Sequence, residues 1–263
     1  ERFKTLMERR FDQDDFIALF IDGKALRSYG MIVAVGIQFD GHKKILGFIE
    51  ADTENHQVMK DFLLSLKDRG LKVSKETLFV IDGAKGLRKG IEEVYGDKAF
   101  VQRCQWHKRE NVISYLPEKL HKQIRRKIEE AYASQSYITA KRRLLNLAKE
   151  LQWVNQSASN SLLEGLEETL TLHRLGLQLQ LGRSLRTTNI VENVNSMIEK
   201  YLHRICYWKN SVQRQRWLAS ALLDIEPRFK RIVGYQDLGA LRRKMKQLYE
   251  LNSEETKVLR NVA

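Results

Sequence analysis

The spacing of hydrophobic residues changes period along the chain, and each change marks an element. Phe16 to Ile21 is a continuous apolar run closed by Asp22-Gly23, which predicts a strand buried on both faces and stopped at an Asp-Gly turn. Met31 to Phe39, rich in Val and Ile, predicts a second strand. Asp40-Gly41 offers a tight turn and Lys44 to Ala51 a third strand, so the three pair as an antiparallel meander. Val58, Phe62, Leu63 and Leu66 then recur at helical spacing up to Gly70. Thr77 to Ile81 repeats the first pattern, an apolar run ending in Asp82-Gly83. A short helix carrying Leu87, Ile91, Val94 and Tyr95 leads to a fifth strand, Ala99 to Cys104.

From Arg109 to Leu181 the period is helical throughout, with helices expected over Leu120 to Ala133, Ala140 to Trp153 and Leu162 to Leu175. A sharply started helix follows. Asn189 reads as its N-cap, and Ile190, Val191, Val194, Met197, Ile198, Tyr201 and Leu202 form its apolar stripe, with Glu192 off that stripe in the first turn. Ser211 to Ile225 is a further core helix, and a basic helical tail begins at Arg228. Three antiparallel strands, a helix, then strand, helix and strand is the order of a ribonuclease H-like fold. The expected class is therefore α/β, a mixed sheet flanked by helices and interrupted by an all-helical insertion. The expected divisions are residues 1–108 and 185–226 for the sheet core, 109–184 for the insertion and 227–263 for the tail.

Composition narrows the function classes. The 263 residues are 43% hydrophobic and 30% charged, enough to bury a real core. The 46 basic and 33 acidic residues leave a net charge of +13, the footprint of a polyanion binder. Two cysteines argue against a disulfide framework and for a reducing compartment. No apolar run approaches a membrane span, and no signal peptide opens the chain. The chain starts abruptly at Glu1-Arg2-Phe3, as expected of a piece whose N-terminal part was removed.

Asp22 and Asp82 carry the candidate chemistry. Each alone is an ordinary turn residue, but both close long apolar strands. If those strands are parallel neighbours, the two carboxylates lie a strand spacing apart at the edge where open α/β sheets bind ligands. Acids so close repel one another unless a cation intervenes, and hard oxygen donors suit Mg²⁺ or Mn²⁺. A third acid would complete a two-ion site for phosphodiester chemistry, and Glu192 is the candidate. Glu192 has a second reading as the capping-box carboxylate of a helix started by Asn189. Lys24 and Lys85, just beyond the two aspartates, can meet phosphate.

These pieces resemble the Mutator-type transposases of bacterial insertion sequences, DDE recombinases with a ribonuclease H-like core. The motifs occur in the family's order: Phe20-Ile21-Asp22-Gly23, Val80-Ile81-Asp82-Gly83-Ala84-Lys85-Gly86-Leu87, Cys104-Gln105-Trp106-His107-Lys108 with Asn111-Val112, Thr187-Thr188-Asn189 with Glu192, Arg216-Trp217, and Arg231-Ile232-Val233-Gly234-Tyr235 with Leu238. The resemblance implies that Asp22, Asp82 and Glu192 form a catalytic triad holding two Mg²⁺ or Mn²⁺ ions, with Cys104 and His107 as accessory residues. It implies cleavage at transposon ends and strand transfer into double-stranded target DNA. A homodimer or larger assembly on DNA is expected, in the cytoplasm or on the nucleoid, with no membrane. A retired transposase that binds DNA without catalysis, and a nuclease that cuts without joining, remain open.

Three features lie outside that core. Cys104-x-x-His107 and His203-x-x-Cys206 are two ligand pairs that can hold zinc if the fold joins them. Trp153 reads first as a core residue and alternatively as a platform for an unstacked base. Lys108, Arg109, Arg183, Arg186, Lys200 and Arg204 flank the candidate site and are candidate phosphate ligands, although solvated helix faces have the same sequence signature.

Overall fold

Five strands make one mixed sheet in the order β3-β2-β1-β4-β5. The computed structural model describes residues 1–26, 29–51, 55–96, 99–203, 205 and 207–262, the side chains of 24–26 and 252–262 excepted. The strands are β1 (Phe16–Leu26), β2 (Tyr29–Gln38), β3 (Lys43–Glu50), β4 (Thr77–Ile81) and β5 (Ala99–Arg103). β1 to β3 run antiparallel as the expected meander, and β4 is parallel to both β1 and β5. Helices α2 (His56–Asp68) and α3 (Lys85–Tyr95) make the two crossovers. A short helix α1 (Arg2–Met7) precedes the sheet and buries Leu6. Its only signal in the sequence is the spacing of Phe3 and Leu6.

Alternation along the strands sorts side chains to two faces. Leu19, Ile21, Phe79 and Ile81 pack against Phe62, Leu63 and Leu66 of α2 and Leu87 and Ile91 of α3. Phe20, Val33, Leu78 and Val80 point the other way, onto helices α10 (Gln178–Leu185), α11 (Asn189–Leu202) and α12 (Ser211–Ile225). The first turns of α13 (Leu238–Val262) join this face through the buried Leu238, Leu241 and Met245. Each such side chain contributes roughly 1.5–3 kcal/mol by leaving water.

A third apolar cluster is built only from helices α4 (Gln105–Ile113), α5 (Glu118–Tyr132), α6 (Tyr137–Gln152), α7 (Gln156–Leu163) and the single-turn α8 (Leu166–Thr169), with Ile128, Leu144, Leu151 and Leu162 at its centre. The helix expected over Leu162 to Leu175 is instead three pieces, α7, α8 and α9 (Thr171–Arg174). Gly165 breaks it at φ +61, a left-handed conformation that only glycine adopts cheaply. The broken segment covers the edge strand: Thr171 Oγ1 donates to Val101 O at 2.6 Å, and Gln102 exchanges hydrogen bonds with Thr169 O and Leu172 N.

Candidate active site

Ile21 pairs with Ile81, so Asp22 and Asp82 leave neighbouring parallel strands at the same level. Counting two back from each reaches Phe20 and Val80, which puts both acids on the α11 side of the sheet. One expectation needs correcting. β1 does not stop at Asp22-Gly23; it continues to Leu26, with Asp22 opposite Val33 and Gly23 opposite Ile32. Only β4 ends, its chain turning at Gly83 with φ +106. Asp22 is therefore held inside a ladder beside a neighbour that has stopped, and it is 4% exposed. Asp82 Oδ1 accepts from the Ala84 N–H at 2.8 Å, a local turn bond that also fixes that side chain.

Glu192 arrives from α11, which is seated by Val191, Val194 and Ile198 against the sheet. The N-cap is Thr188, not Asn189, and its side chain makes no capping bond. That moves Glu192 one position past the place where a capping-box carboxylate would sit, so the capping reading fails. Its Oε1 lies 4.0 Å from His107 Nε2 and 3.5 Å from the Thr188 hydroxyl. One ligand atom each from Asp22, His107 and Glu192 fall within 4.8 Å of one another.

His107 comes from the start of α4, directly after β5. Cys104 caps that helix, its buried sulfur accepting from the His107 N–H at 3.5 Å. Trp106 meets the imidazole edge-on, with centroids 4.9 Å apart. Burial works against charge on His107. Hydrogen bonding to Cys104 and the negative charges around it, Asp22 and Asp82 among them, outweigh that and raise the ring to about 9. Burial pushes the Asp22 carboxyl up to about 7; the Thr188 hydrogen bond opposes this, and the charges of Asp82 and Glu192 add to it. The cluster thus gathers more negative charge than a single imidazolium balances. Two carboxylates and an imidazole also form a donor set suited to a divalent cation. Among the described residues this cluster contains neither Cys104 nor His203, and Cys206 lies outside the described residues.

Two further residues shape the site. Thr188, fully buried, touches His107, Glu192 and Asp22 through one hydroxyl. Arg103, at the end of β5, is 5% exposed and donates to Gly83 O at 2.6 Å and to Glu164 O at 3.1 Å. Its guanidinium is threaded between Gly83 and Gly165, where added Cβ atoms would fall 2.9 and 2.3 Å from it. The loop after Asp82 is thereby clamped to the helical segment. Thr188 stood inside a recognised motif without an assigned role, and nothing marked Arg103 as more than one cation among many.

The profile described as "Transposase, Mutator family" matches residues 1–231. The chain belongs to the Mutator family of transposases. It is 27% identical over 250 residues to the transposase for insertion sequence element ISRM5 of Rhizobium meliloti, an alignment covering 92% of this chain and 61% of that protein. It is 26% identical over 203 residues to the transposase for IS256 in transposon Tn4001 of Staphylococcus aureus, covering 73% and 48%. With the IS905 transposase of Lactococcus lactis it shares 26% over 231 residues, covering 85% and 57%. The chain therefore spans about half to three-fifths of the length of these curated relatives.

The basic candidates of this Mutator-family chain divide sharply by location. Lys108 is not a surface residue: it is 4% exposed, with its ammonium donating to Ser161 O at 2.6 Å and Glu164 O at 2.7 Å, and burial lowers it to about 8. Arg109 is committed to Glu110 and Glu129. Both hold helices together and are withdrawn as phosphate ligands. Lys85 is exposed and loosely paired to Glu164 at 3.7 Å, and Arg183, Arg186 and Lys200 are exposed. Arg204 and the side chain of Lys24 lie outside the described residues. Trp153 is 93% exposed at the end of α6, which overturns the core reading for it. Among the described residues no helix is long and apolar enough to cross a membrane.

Proposed function

We propose that this chain is the catalytic portion of a DDE-type DNA transposase that cuts transposon ends and joins them to target DNA. Strand order β3-β2-β1-β4-β5, with β4 and β5 parallel to β1, supports a ribonuclease H-like core. The self-contained apolar cluster of α4 to α8 supports reading residues 109–184 as an insertion. The observation that carries the reading is the convergence of Glu192 with Asp22 across the four further strands and the long run of helices that separate them in sequence.

Asp22 and Glu192 would hold a divalent cation, Mg²⁺ or Mn²⁺, with His107 as neighbour or ligand. The free oxygen of Asp82 would take part in a second ion position. The chemistry such ions supply is charge neutralisation at a phosphodiester and activation of the attacking oxygen. The chain's own groups prepare it. Thr188 orients the Asp22 and Glu192 carboxylates, and Arg103 fixes the turn that carries Asp82. His107, protonated near neutral pH, keeps positive charge at Nε2 opposite Glu192 and preserves the cluster when no cation is present. Lys85, Arg186 and Lys200 would lie along the DNA, Trp153 would offer a stacking face, and a dimer or larger assembly would bring two ends to one target in the cytoplasm.

The test is incubation of the chain with labelled duplexes carrying the element's terminal sequence, together with target DNA and Mn²⁺. Nicked and joined products are expected, absent from Asp22→Asn, Asp82→Asn and Glu192→Gln variants that still bind the duplex. Nicking without joining would replace the proposal with a nuclease. Binding without either product would make the chain a DNA-binding descendant of transposases.

A further inference from the structure

The segment from Arg228 to Tyr235, which contains the Arg231-Ile232-Val233-Gly234-Tyr235 motif, has no part in the carboxylate cluster. It straps two elements together. Ile232 N–H donates to Gly41 O at 3.0 Å in the turn between β2 and β3, and Ser184 Oγ of α10 donates to Val233 O at 2.9 Å. Gly234, at φ +81, approaches α10 so closely that a Cβ there would lie 2.3 Å from Gln180 O. Between this strap and the flank of α11 lies a cavity of about 360 Å³, within the roughly 300–1,000 Å³ range of pockets that take small ligands.

Its lining is basic. Lys43, Arg183, Arg228, Lys230 and Arg231 surround it and no acid lines it. Among the described residues none of these five has a carboxylate within ion-pair distance, whereas Arg88, Arg125, Arg214 and Arg242 all do. Lys43 donates to Lys230 O and Arg231 to His42 Nε2, with Tyr235 under its guanidinium, so the cations left for a ligand are Arg183, Arg228 and Lys230. Such groups around a concavity select an anion with several oxygens, a phosphate above all. Phe229 and Met197 add apolar wall, and Asn189 and Asn193, one turn apart on α11, add paired amide donors and acceptors. Glu192 lies about 60° round the same helix from Asn189. Whatever occupies the cavity is thus one helix flank away from the carboxylates.

We infer that this cavity binds one unpaired nucleotide of the DNA strand processed at the Asp22–Glu192 cluster, its phosphate on the cation rim and its base against Phe229 and Met197. A duplex is too wide to enter such a space, while a single nucleotide offers both a phosphate and a stacking face. The inference rests on the transposase reading, but the two fail separately. Binding is measured without divalent cation, so that no cleavage intervenes, using a short blunt duplex and the same duplex with a single-stranded thymidine extension. The chain is expected to favour the extended probe roughly tenfold, the scale of one stacked base with its phosphate. An Arg228→Ala/Lys230→Ala variant, altered at two exposed positions, is expected to lose most of that preference while binding the blunt duplex nearly as before. A Lys119→Ala/Lys122→Ala variant, which removes the same charge from exposed α5, is expected to keep the preference. Hydrogen exchange at residues 228–234 should slow with the extended probe only. No preference in the unaltered chain, an equal loss on both probes in the pocket variant, or loss of preference in the α5 control would each overturn the inference. Absence of Mn²⁺-dependent cleavage with the preference intact would instead sink the transposase reading and leave the pocket standing.

Discussion

The hydroxyl of Thr188 stands 3.4 Å from His107 Nδ1 and 3.5 Å from Glu192 Oε1, so a residue placed to cap a helix serves the carboxylate cluster instead. Replacing Thr188 with Val keeps the shape and removes the hydroxyl. The hydrogen bond that opposes the upward push on Asp22 disappears, so the carboxyl holds its proton to higher pH. Mn²⁺ affinity near neutral pH is expected to fall about 10–100-fold, the usual cost of losing an outer-shell partner, and Thr188→Ser should restore most of it. Calorimetric titration of the three proteins checks this; equal affinities would assign Thr188 to packing alone.

Asp22 and His107 make the cation-free chain less stable as pH rises. Asp22 moves from 3.8 unfolded to about 7 folded, so its ionisation costs nothing below 3.8 and its full penalty is felt above about 7. His107 moves from 6.5 to about 9, so its stabilisation is complete below 6.5 and lost as pH passes about 9. The melting temperature in chelator is therefore expected to fall steadily across the range bounded by these values. Saturating Mn²⁺ favours ionised Asp22 and should flatten or reverse that slope. Asp22→Asn should raise the melting temperature in chelator above pH 7 while abolishing the Mn²⁺ effect. A melting temperature in chelator that rises with pH would contradict both assignments.

Arg103 supports the turn after Asp82 from below. Arg103→Ala leaves the Gly83 carbonyl without its donor, takes one of two donors from Glu164 O, which keeps Lys108, and takes one of two cations from Glu168, which keeps Arg88. Loss of hydrogen bonds from a buried charged donor of this kind costs about 1.5–3 kcal/mol. Gly83→Ala is expected to cost about 1–2 kcal/mol from its left-handed backbone alone, plus whatever shift relieves the 2.9 Å approach to Arg103 Nε. Urea unfolding measures both. A Gly83→Ala protein of unchanged stability would mean that the turn relaxes freely.

Trp153 offers a clean separation of folding from binding. Nearly all its surface is already in water, so Trp153→Ala should change stability by no more than about 0.5 kcal/mol. If the ring stacks on an unpaired base, affinity for a DNA end with splayed strands should drop by about 1–3 kcal/mol, while affinity for intact duplex stays unchanged. Fluorescence anisotropy with the two probes distinguishes the outcomes, and equal affinities for wild type and variant would remove Trp153 from the DNA surface.

Much of this was legible in the chain because it depends on local period. Continuous apolar runs marked β1, β4 and β5, the Asp82-Gly83 pair marked where β4 meets its turn, and the stripe on α11 singled out Glu192 by leaving it off. That Asp22 and Asp82 share one face followed only once β1 and β4 were seen to pair in parallel with Ile21 opposite Ile81. The decisions left to tertiary structure are those in which distant segments compete for the same atoms. Thr188 could cap α11 or serve Asp22, and burial against His107 settled it. Lys108 and Trp153 exchanged their expected places because carbonyls from α7 were available to satisfy an ammonium, whereas the indole at the end of α6 met no neighbour. Gly165 broke a helix to admit a guanidinium from β5. Periodicity reports which way a side chain faces within its own element; only the packed chain determines what stands opposite it.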